Sequence, residues 1–570
     1  MKKNIIFLSV LLGYCGYANA QSALDAYSFS QPDLKGTARY MGMAGAFGAL
    51  GGDLSAITQN PAGIGVYRSS DIGFTLDLDV QNSVSQADEM KYGMSQTKFL
   101  LNNIGVVLTM KLPSTTVPNL NFGFTYNKSA SFNRVFGGNI NTLRNSMSNY
   151  IAGIANAEQL TEGDVATTSD YDPYNPGPNY YAAPWLAILG YDSYLITPDQ
   201  NPITGETKWY GLWDNNSMTG NNTTGSGSFL MRESGGLNDF NIVLGGNISN
   251  VLYWGMNFDI INLNYQLNSV WGESLNNALV PDAGNNLVRE RADWDLNNLY
   301  RATGTGFNYQ LGFIVKPVQE FRLGFAFHTP TWYNINEEFG ATVNYNFGTS
   351  ESGKVTANNG YLGTNSFNFR TPWKIIASAA GVIGTNFILS FDYEWANYGS
   401  MKFSEPNFYD GYYDWDYPWY ASAEPGTRAS SVLNYNDPYA YENSDISTYY
   451  KSTNTFRVGL EYKPISAISI RAGYSYVSSP VNKSVMNNQE IIYTAGTQPS
   501  YRFDNDTNYI TAGLGYRNKH FYADLAYVYK NMSSEYHAFT PDPENLSMPS
   551  PQSKISLTNN QVVLTLGYRF

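Results

Sequence analysis

The feature that most narrows the fold is a strict two-residue alternation, clearest at the end of the chain. In Gln561-Val-Val-Leu-Thr-Leu-Gly-Tyr-Arg-Phe570, Val562, Leu564, Leu566, Tyr568 and Phe570 share one face, opposite Val563, Thr565, Gly567 and Arg569. A period of two is that of a β-strand with one apolar face. The same pattern recurs upstream at 72–80, 104–112, 120–126, 240–244, 254–260, 307–315, 321–327, 375–379, 387–395, 456–462, 468–476, 510–516 and 521–527. That makes about fourteen strands, an even number within the range of bacterial outer-membrane barrels.

The connections test this count, because such a barrel alternates short periplasmic turns with long extracellular loops. Short links fall near 113–119, 248–251, 316–320, 383–386, 463–467 and 517–520. Long ones fall near 86–97, 137–236, 268–303, 330–366, 403–450, 480–505 and 534–556. The expected fold is therefore all-β: a transmembrane antiparallel barrel of about fourteen strands over 69–570, with its largest extracellular loops at 137–236 and 403–450. A periplasmic β-sandwich would not alternate its links in this way.

Composition agrees. Charged residues make up 14% and aromatic residues 15%, with 46 Tyr and 52 Gly, which is unusual for a soluble enzyme. No stretch after the N-terminus approaches the ~18 continuous apolar residues of a membrane-crossing helix. Net charge is −13 without a run of Lys or Arg, so nucleic acid is not an expected partner. Residues facing away from the apolar stripes, among them Asp77, Asp79, Lys111, Asp259, Lys374, Asp392, Glu394, Arg457, Glu461, Arg471, Arg517 and Asp524, predict a polar lumen of mixed sign. Tyr67, Tyr126, Trp395, Tyr398, Tyr462 and Tyr568 at strand ends suit interfacial aromatic girdles.

Residues 1–20 have the form of a signal peptide: Lys2 and Lys3, an apolar run from Ile5 to Leu12, and Ala18-Asn19-Ala20 at the cleavage point. Cys15 lies within it, so the mature chain is expected to carry no thiol. From Gly36 to Gly65, eight residues are Gly and six are Ala. Such small residues let backbone approach a barrel wall closely, and residues 21–68 are expected to fill the lumen as a hatch.

The segment Gly51-Gly-Asp-Leu-Ser-Ala-Ile-Thr-Gln-Asn-Pro-Ala-Gly-Ile-Gly65 resembles the hatch of the FadL/TodX family of outer-membrane hydrophobic-solute channels, where Asn-Pro-Ala precedes the first of fourteen strands. Phe325-Ala-Phe-His-Thr-Pro-Thr-Trp-Tyr333, Thr371-Pro-Trp-Lys-Ile-Ile376 and Arg471-Ala-Gly-Tyr-Ser-Tyr476 resemble the Bacteroidetes branch of that family. The resemblance implies an outer-membrane channel for passive uptake of hydrophobic molecules such as long-chain fatty acids, gated by Asp53, Asn60, Pro61 and Ala62 of the hatch. It also implies contact of Asn60-Pro61-Ala62 with the wall near strand three, and lateral escape through that wall at about 120–132. Tyr568 and Phe570 resemble the signal read by the barrel-assembly machinery. A monomer among outer-membrane lipid and lipopolysaccharide is expected, with no cofactor.

No catalytic constellation is visible. Of the three histidines, His520 and His537 read as solvated and His328 as structural. Asp410, Asp414 and Asp416 cluster without calcium-loop spacing, so no metal is expected. Rival readings are a surface adhesion or structural barrel, a hemin receptor, an open porin and a TonB-dependent receptor. The last needs about twenty-two strands and a far larger plug. Within 137–236, Ile140, Leu143, Met147, Ile151 and Ile154 recur at helical spacing. Candidate ligand residues are the lumen-facing cations Lys374, Arg457 and Arg471, suited to a carboxylate.

Overall fold

The computed structural model describes residues 22–570, apart from 32, 88, 177–181, 202, 215–221, 283–286, 349–350, 385, 407–436, 489 and 541–549. The proposed signal peptide, the Asp410–Asp416 cluster and most of the 403–450 loop lie outside these residues.

Alternation becomes a closed antiparallel barrel. Its strands, in chain order, begin with β1 (Asp71–Ala87), β2 (Met90–Lys111), β3 (Asn119–Ser131, resuming as Arg134–Ile140), β4 (Thr224–Ile248), β5 (Leu252–Pro281) and β6 (Leu287–Val318). They continue with β7 (Phe321–His328 and Trp332–Asn346), β8 (Gly363–Arg370 and Lys374–Ile383), β9 (Phe387–Asn397), β10 (Ser452–Ile465) and β11 (Ile468–Val477). The last three are β12 (Tyr501–Asn518), β13 (Phe521–His537) and β14 (Gln552–Arg569). Each strand pairs with the next, and β14 returns to β1 in the register Ile72↔Tyr568, Phe74↔Leu566, Leu76↔Leu564. Closure leaves no sheet edge at the seam, which lipid would not tolerate. All fourteen alternating segments of the sequence fall in these strands. The turns at one end are tight; Ser249 and Asn250, both at positive φ, lie in the three-residue link 249–251 from β4 to β5.

Outward residues form the lipid-facing band. Ile72, Leu108, Phe240, Met256, Phe313, Phe325, Phe391, Phe456, Leu514 and Leu525 are all exposed, while the residues between them are buried and mostly polar, such as Asp77, Asn257, Asp259, Asp392 and Asp524. Lys111 and Arg517 are exposed at the turns rather than lumenal. Tyr67 and Tyr398 are buried inside and belong to no girdle.

Several long connections anticipated as loops are instead strand. β1 and β2 are joined at 88–89, and β5 and β6 run to Pro281 and from Leu287, so most of 86–97 and 268–303 is paired hairpin. The physical reason is that polarity inverts above the lipid band. In β5, Met256 and Ile260 point out and Asn257 and Asp259 point in. Farther along, Ile261, Leu263, Tyr265 and Leu267 are buried while Asn262 and Asn264 are exposed. β6 and β7 do the same, burying Leu296, Tyr300, Tyr333 and Ile335 and exposing Thr303, Thr305, Asn334 and Asn336. Polar residues facing water read as loop when only apolar stripes are sought.

Two Thr-Pro pairs mark the inversion. Pro330 and Pro372, lacking an N–H, interrupt β7 and β8 at adjacent points. Across the first break the buried face shifts from even-numbered residues such as Gly324 and Ala326 to odd-numbered Tyr333 and Ile335. Thr331 and Thr371 rejoin the strands, Thr371 N–H donating to Thr331 O at 3.0 Å and Thr331 N–H to Thr371 Oγ1 at 2.9 Å.

The 137–236 loop folds over the mouth. Its helix α1 (Met147–Ala157) starts on a Ser146 cap that accepts from Ser148 N–H at 3.1 Å. Met147 and Ile151 are buried and Ile154 half-buried, while Ile140 and Leu143 enter the same core from before the helix. A second helix, α2 (Trp185–Asp192), packs beside it. Trp209 lies beneath both, its Nε1 donating to Leu160 O at 2.7 Å. The molecule thus has two storeys: a membrane barrel with a polar interior and an extracellular cap with an apolar one.

Candidate functional site

Residues 22–67 of the N-terminal segment are almost wholly inside the barrel. A short helix (Ala23–Ser30) sits in the cap, where Tyr27 stacks on Tyr450 at 5.3 Å and Phe29 meets Tyr265 edge-on at 5.9 Å. From Lys35 on, the segment lies within the membrane storey. Met41, Met43, Ala44, Ala46, Phe47, Ile57, Ala62 and Ile64 have no exposed surface.

Asp53 organises the segment from within. Its carboxylate accepts from Thr37 Oγ1 at 2.8 Å and from Ser55 N–H at 2.9 Å. Thr37 in turn caps a single helical turn at Ala38–Met41. Asn60 Oδ1 accepts from Ala62 N–H at 3.1 Å and caps the 3₁₀ turn Pro61–Val66, with Pro61 at its first position. Asn60 Nδ2 donates to Gly48 O at 2.6 Å and to Phe313 O at 3.3 Å. Asn60-Pro61-Ala62 therefore meets Gly255 of β5 and Gly312 of β6, not strand three as expected. Ile64 and Tyr67 reach β3 instead, their carbonyls accepting from Asn121 Nδ2 at 2.5 and 3.2 Å. The difference is geometric: the turn that Asn60 caps carries the chain across two strands before it reaches the start of β1.

The wall is shaped to receive this backbone. Gly123, Gly245, Gly255, Gly312, Gly324, Gly459, Gly473 and Gly513 each come from a different strand and face inward. At the first seven an added Cβ would crowd the segment, against Ile64, Pro61, Asn60, Gly48 or Met43, and at Gly513 it would touch Gly42. Sequence reasoning located small residues in the segment but missed those in the wall. Their signal was a glycine at an inward position within an otherwise well-formed strand.

Ion pairs complete the seat. Lys35 bridges Asp77 at 2.8 Å and Asp79 at 3.0 Å, all three buried. Arg39 pairs with Glu461 at 3.1 Å, and Glu461 also holds Arg471 at 2.6 Å and Lys463 at 3.1 Å. Asp392 accepts from Gly48 N–H and Gln59 Nε2, each at 2.9 Å. Removing one member of such a buried set costs ~3–5 kcal/mol, because its partners stay charged and unpaired.

The three candidate ligand residues separate. Arg471 is committed to Glu461 and to Asp524 at 2.5 Å, and Arg457 to Glu394 at 2.8 Å. The Lys374 side chain has neither an ion pair nor a hydrogen bond among the described residues and lines a cavity of about 170 Å³ above the segment. His328 lines it too, its Nε2 3.0 Å from Gln59 O. His520 is exposed, as expected. His537 is not: it is buried and stacked on Tyr501 at 4.7 Å, because β13 extends into the cap.

One seam of the barrel is incomplete. β2 pairs with β3 only from Asn103↔Asn127 to Lys111↔Asn119. Beyond this, β2 continues to Met90 in backbone pairing with β1 alone, and β3 with β4 alone, with a register shift after Lys128 and a break at 132–133; the resumed part of β3 leans on β1, Val135 N–H donating to Gln81 Oε1 at 3.2 Å. The N-terminal segment touches this edge, Asp33 N–H donating to Ser129 O at 2.8 Å. At the other end of the chain Phe570 exchanges two backbone hydrogen bonds with Ser70, each 3.0 Å, and stacks on Tyr568.

No curated protein matches the chain. Among solved structures it is similar to a FadL homologue of Pseudomonas aeruginosa, at 12% identity over 95% of this chain and 100% of that one, with a TM-score of 0.47. It is also similar to the P. putida toluene transporter TodX, at 11% identity over 94% and 99% with a TM-score of 0.45. The Ralstonia pickettii toluene transporter TbuX follows at 12% identity over 94% and 99%, with a TM-score of 0.42. The assignment rests on sequence: residues 237–570, more than half of the chain, match the family model described as outer membrane protein transport protein (OMPP1/FadL/TodX). With its closed barrel, this chain belongs to the OMPP1/FadL/TodX family and resides in the outer membrane.

Proposed function

We propose that this protein takes up hydrophobic small molecules, long-chain fatty acids among them, passively across the outer membrane, and that residues 21–68 are its gate. The observation that carries this reading is the seating of the N-terminal segment on eight inward glycines. A barrel of fourteen strands is otherwise wide enough for water. Family membership supports transport as the class of function. Solute is captured in the apolar cap, passes the cavity beside Lys374 and leaves through the unpaired seam between β2 and β3. Asp53, Asn60, Pro61 and Ala62 keep the gate folded. Lys374 is the cation free to meet a carboxylate; Arg457 and Arg471 hold the wall together. Tyr568 and Phe570 act as the assembly signal.

The test is uptake of a radiolabelled apolar solute, laurate or toluene, by cells with and without the protein. The reading requires faster uptake with the protein and unchanged sensitivity to large polar antibiotics. Equal uptake in both strains overturns it.

A further inference from the structure

The cavity beside Lys374 lies on the plane where the interior changes polarity. Phe29, Leu237, Ile261 and Tyr333 line its cap side, and Asp239, Asp259, Asn308 and Gln310 the membrane side. An apolar roof over a polar floor is complementary to an amphiphile, head down and tail toward the cap.

The floor is not the one a fatty acid needs. Of its cations, Arg457 is held by Glu394, Lys35 by Asp77 and Asp79, and Lys128 donates to Asn238 Oδ1 at 3.3 Å. Only Lys374 is uncommitted. Beside it stand two carboxyl groups, Asp239, which accepts from Ser129 Oγ at 2.6 Å, and Asp259, which accepts from Asn308 Nδ2 at 3.3 Å. Asp259 Oδ1 has no hydrogen-bond partner, nor has Gln59 Oε1, although Asp259 is 1% exposed and Gln59 6%. Both can accept from a ligand that brings donors. A carboxylate head supplies an acceptor for Lys374 but no donor. An ammonium or hydroxyl group supplies what is missing.

Resting on the uptake function proposed above, we infer that this cavity is a head-group site for an amphiphile bearing both an anionic group, received by Lys374, and an ammonium or hydroxyl donor, received by Asp259 and Gln59. Plain fatty acids and hydrocarbons are then secondary ligands.

The test is equilibrium binding to the full-length protein in lipid nanodiscs with three probes: laurate, dodecyl phosphoethanolamine and toluene. The zwitterion binds wild type at least about tenfold more tightly than laurate. Asp259→Asn abolishes that preference and leaves laurate as tight or tighter, whereas Lys374→Gln weakens both head-bearing probes. The wild-type ratio requires no variant, and heat-dependent gel migration confirms that each variant is folded. Laurate binding as tightly as the zwitterion, or a preference that survives Asp259→Asn, overturns the head-group assignment. If laurate and toluene bind while the zwitterion does not, only this assignment falls. If none of the three binds, the uptake function falls with it.

Discussion

The two storeys of the barrel share strands but obey opposite rules. In the membrane, lipid takes the apolar side chains outward, so the interior is held by ion pairs, hydrogen bonds and close backbone contact. Above it, water takes the polar side chains outward, and the interior is an ordinary apolar core. β5 shows both within one strand, from Asn257 and Asp259 to Leu263 and Tyr265. The lesson concerns what each storey can do. A polar, glycine-lined seat holds a segment by specific contacts that can be broken one at a time. An apolar core holds by area and welcomes an apolar guest. The N-terminal segment spans both, with Phe29 in one core and Lys35 in the other.

The largest effect is expected at the glycine seat. Gly312→Val places a side chain where Asn60 sits, so the segment is displaced while the barrel, whose outward face is untouched, remains assembled. Planar-bilayer recording should show conductance rising by about tenfold or more over wild type. An unchanged conductance in a folded variant means the seat is not specific.

Glu461→Ala tests the ion pairs. It leaves Arg39 without its carboxylate and Arg471 with Asp524 alone, and is expected to cost up to ~3–5 kcal/mol, read as a lower temperature for the heat-dependent gel shift. A truncation of similar size in the cap, Leu263→Ala, costs ~2–5 kcal/mol by cavity formation but leaves the seat intact, so conductance stays low.

In the cap, a pH effect isolates the short helix at 23–30. Burial raises Asp25 from 3.8 to about 6, outweighing its hydrogen bonds from Ser22. The docked state therefore holds the proton more tightly than the free chain. Docking is strongest below about 3.8 and weakens as pH rises to about 6, by roughly 3 kcal/mol at one unit per 1.36 kcal/mol. A spin label at Ser28→Cys, a site expected to be the only thiol of the mature chain, should become more mobile across that window. Asp25→Asn should remove the dependence.

The smallest effect belongs to the outer surface. Arg301 and Glu338, 3.4 Å apart and each nearly half exposed, are an ordinary surface pair. Arg301→Ala should change stability by less than ~1 kcal/mol and leave conductance alone.

Much of this was legible in the sequence, and the exceptions have physical causes. All fourteen strands showed because lipid-facing alternation is strong, as in Val562–Phe570. Their extensions did not, because Asn262, Asn264, Asn334 and Asn336 face water where apolar residues were sought. Lys374 was named together with Arg457 and Arg471, since inward cations look alike until their partners are known. Glu394, Glu461 and Asp524 are remote in sequence from one another and from the N-terminal segment. The wall glycines were hidden for the opposite reason: Gly255 and Gly312 carry no side chain to signal a role, and only the approach of Pro61 and Asn60 reveals one.

Gating of the lumen by residues 21–68 can be read by single-channel recording of wild type beside a variant lacking residues 42–58. That deletion removes the backbone seated on Gly324, Gly459, Gly473 and Gly513 while keeping Asn60 and the start of β1. Wild type should pass almost no current, and the deletion should open a steady conductance like that of an open porin, with matching sensitivity to polar antibiotics. Equal conductance in the two, whether both open or both closed, would contradict the account.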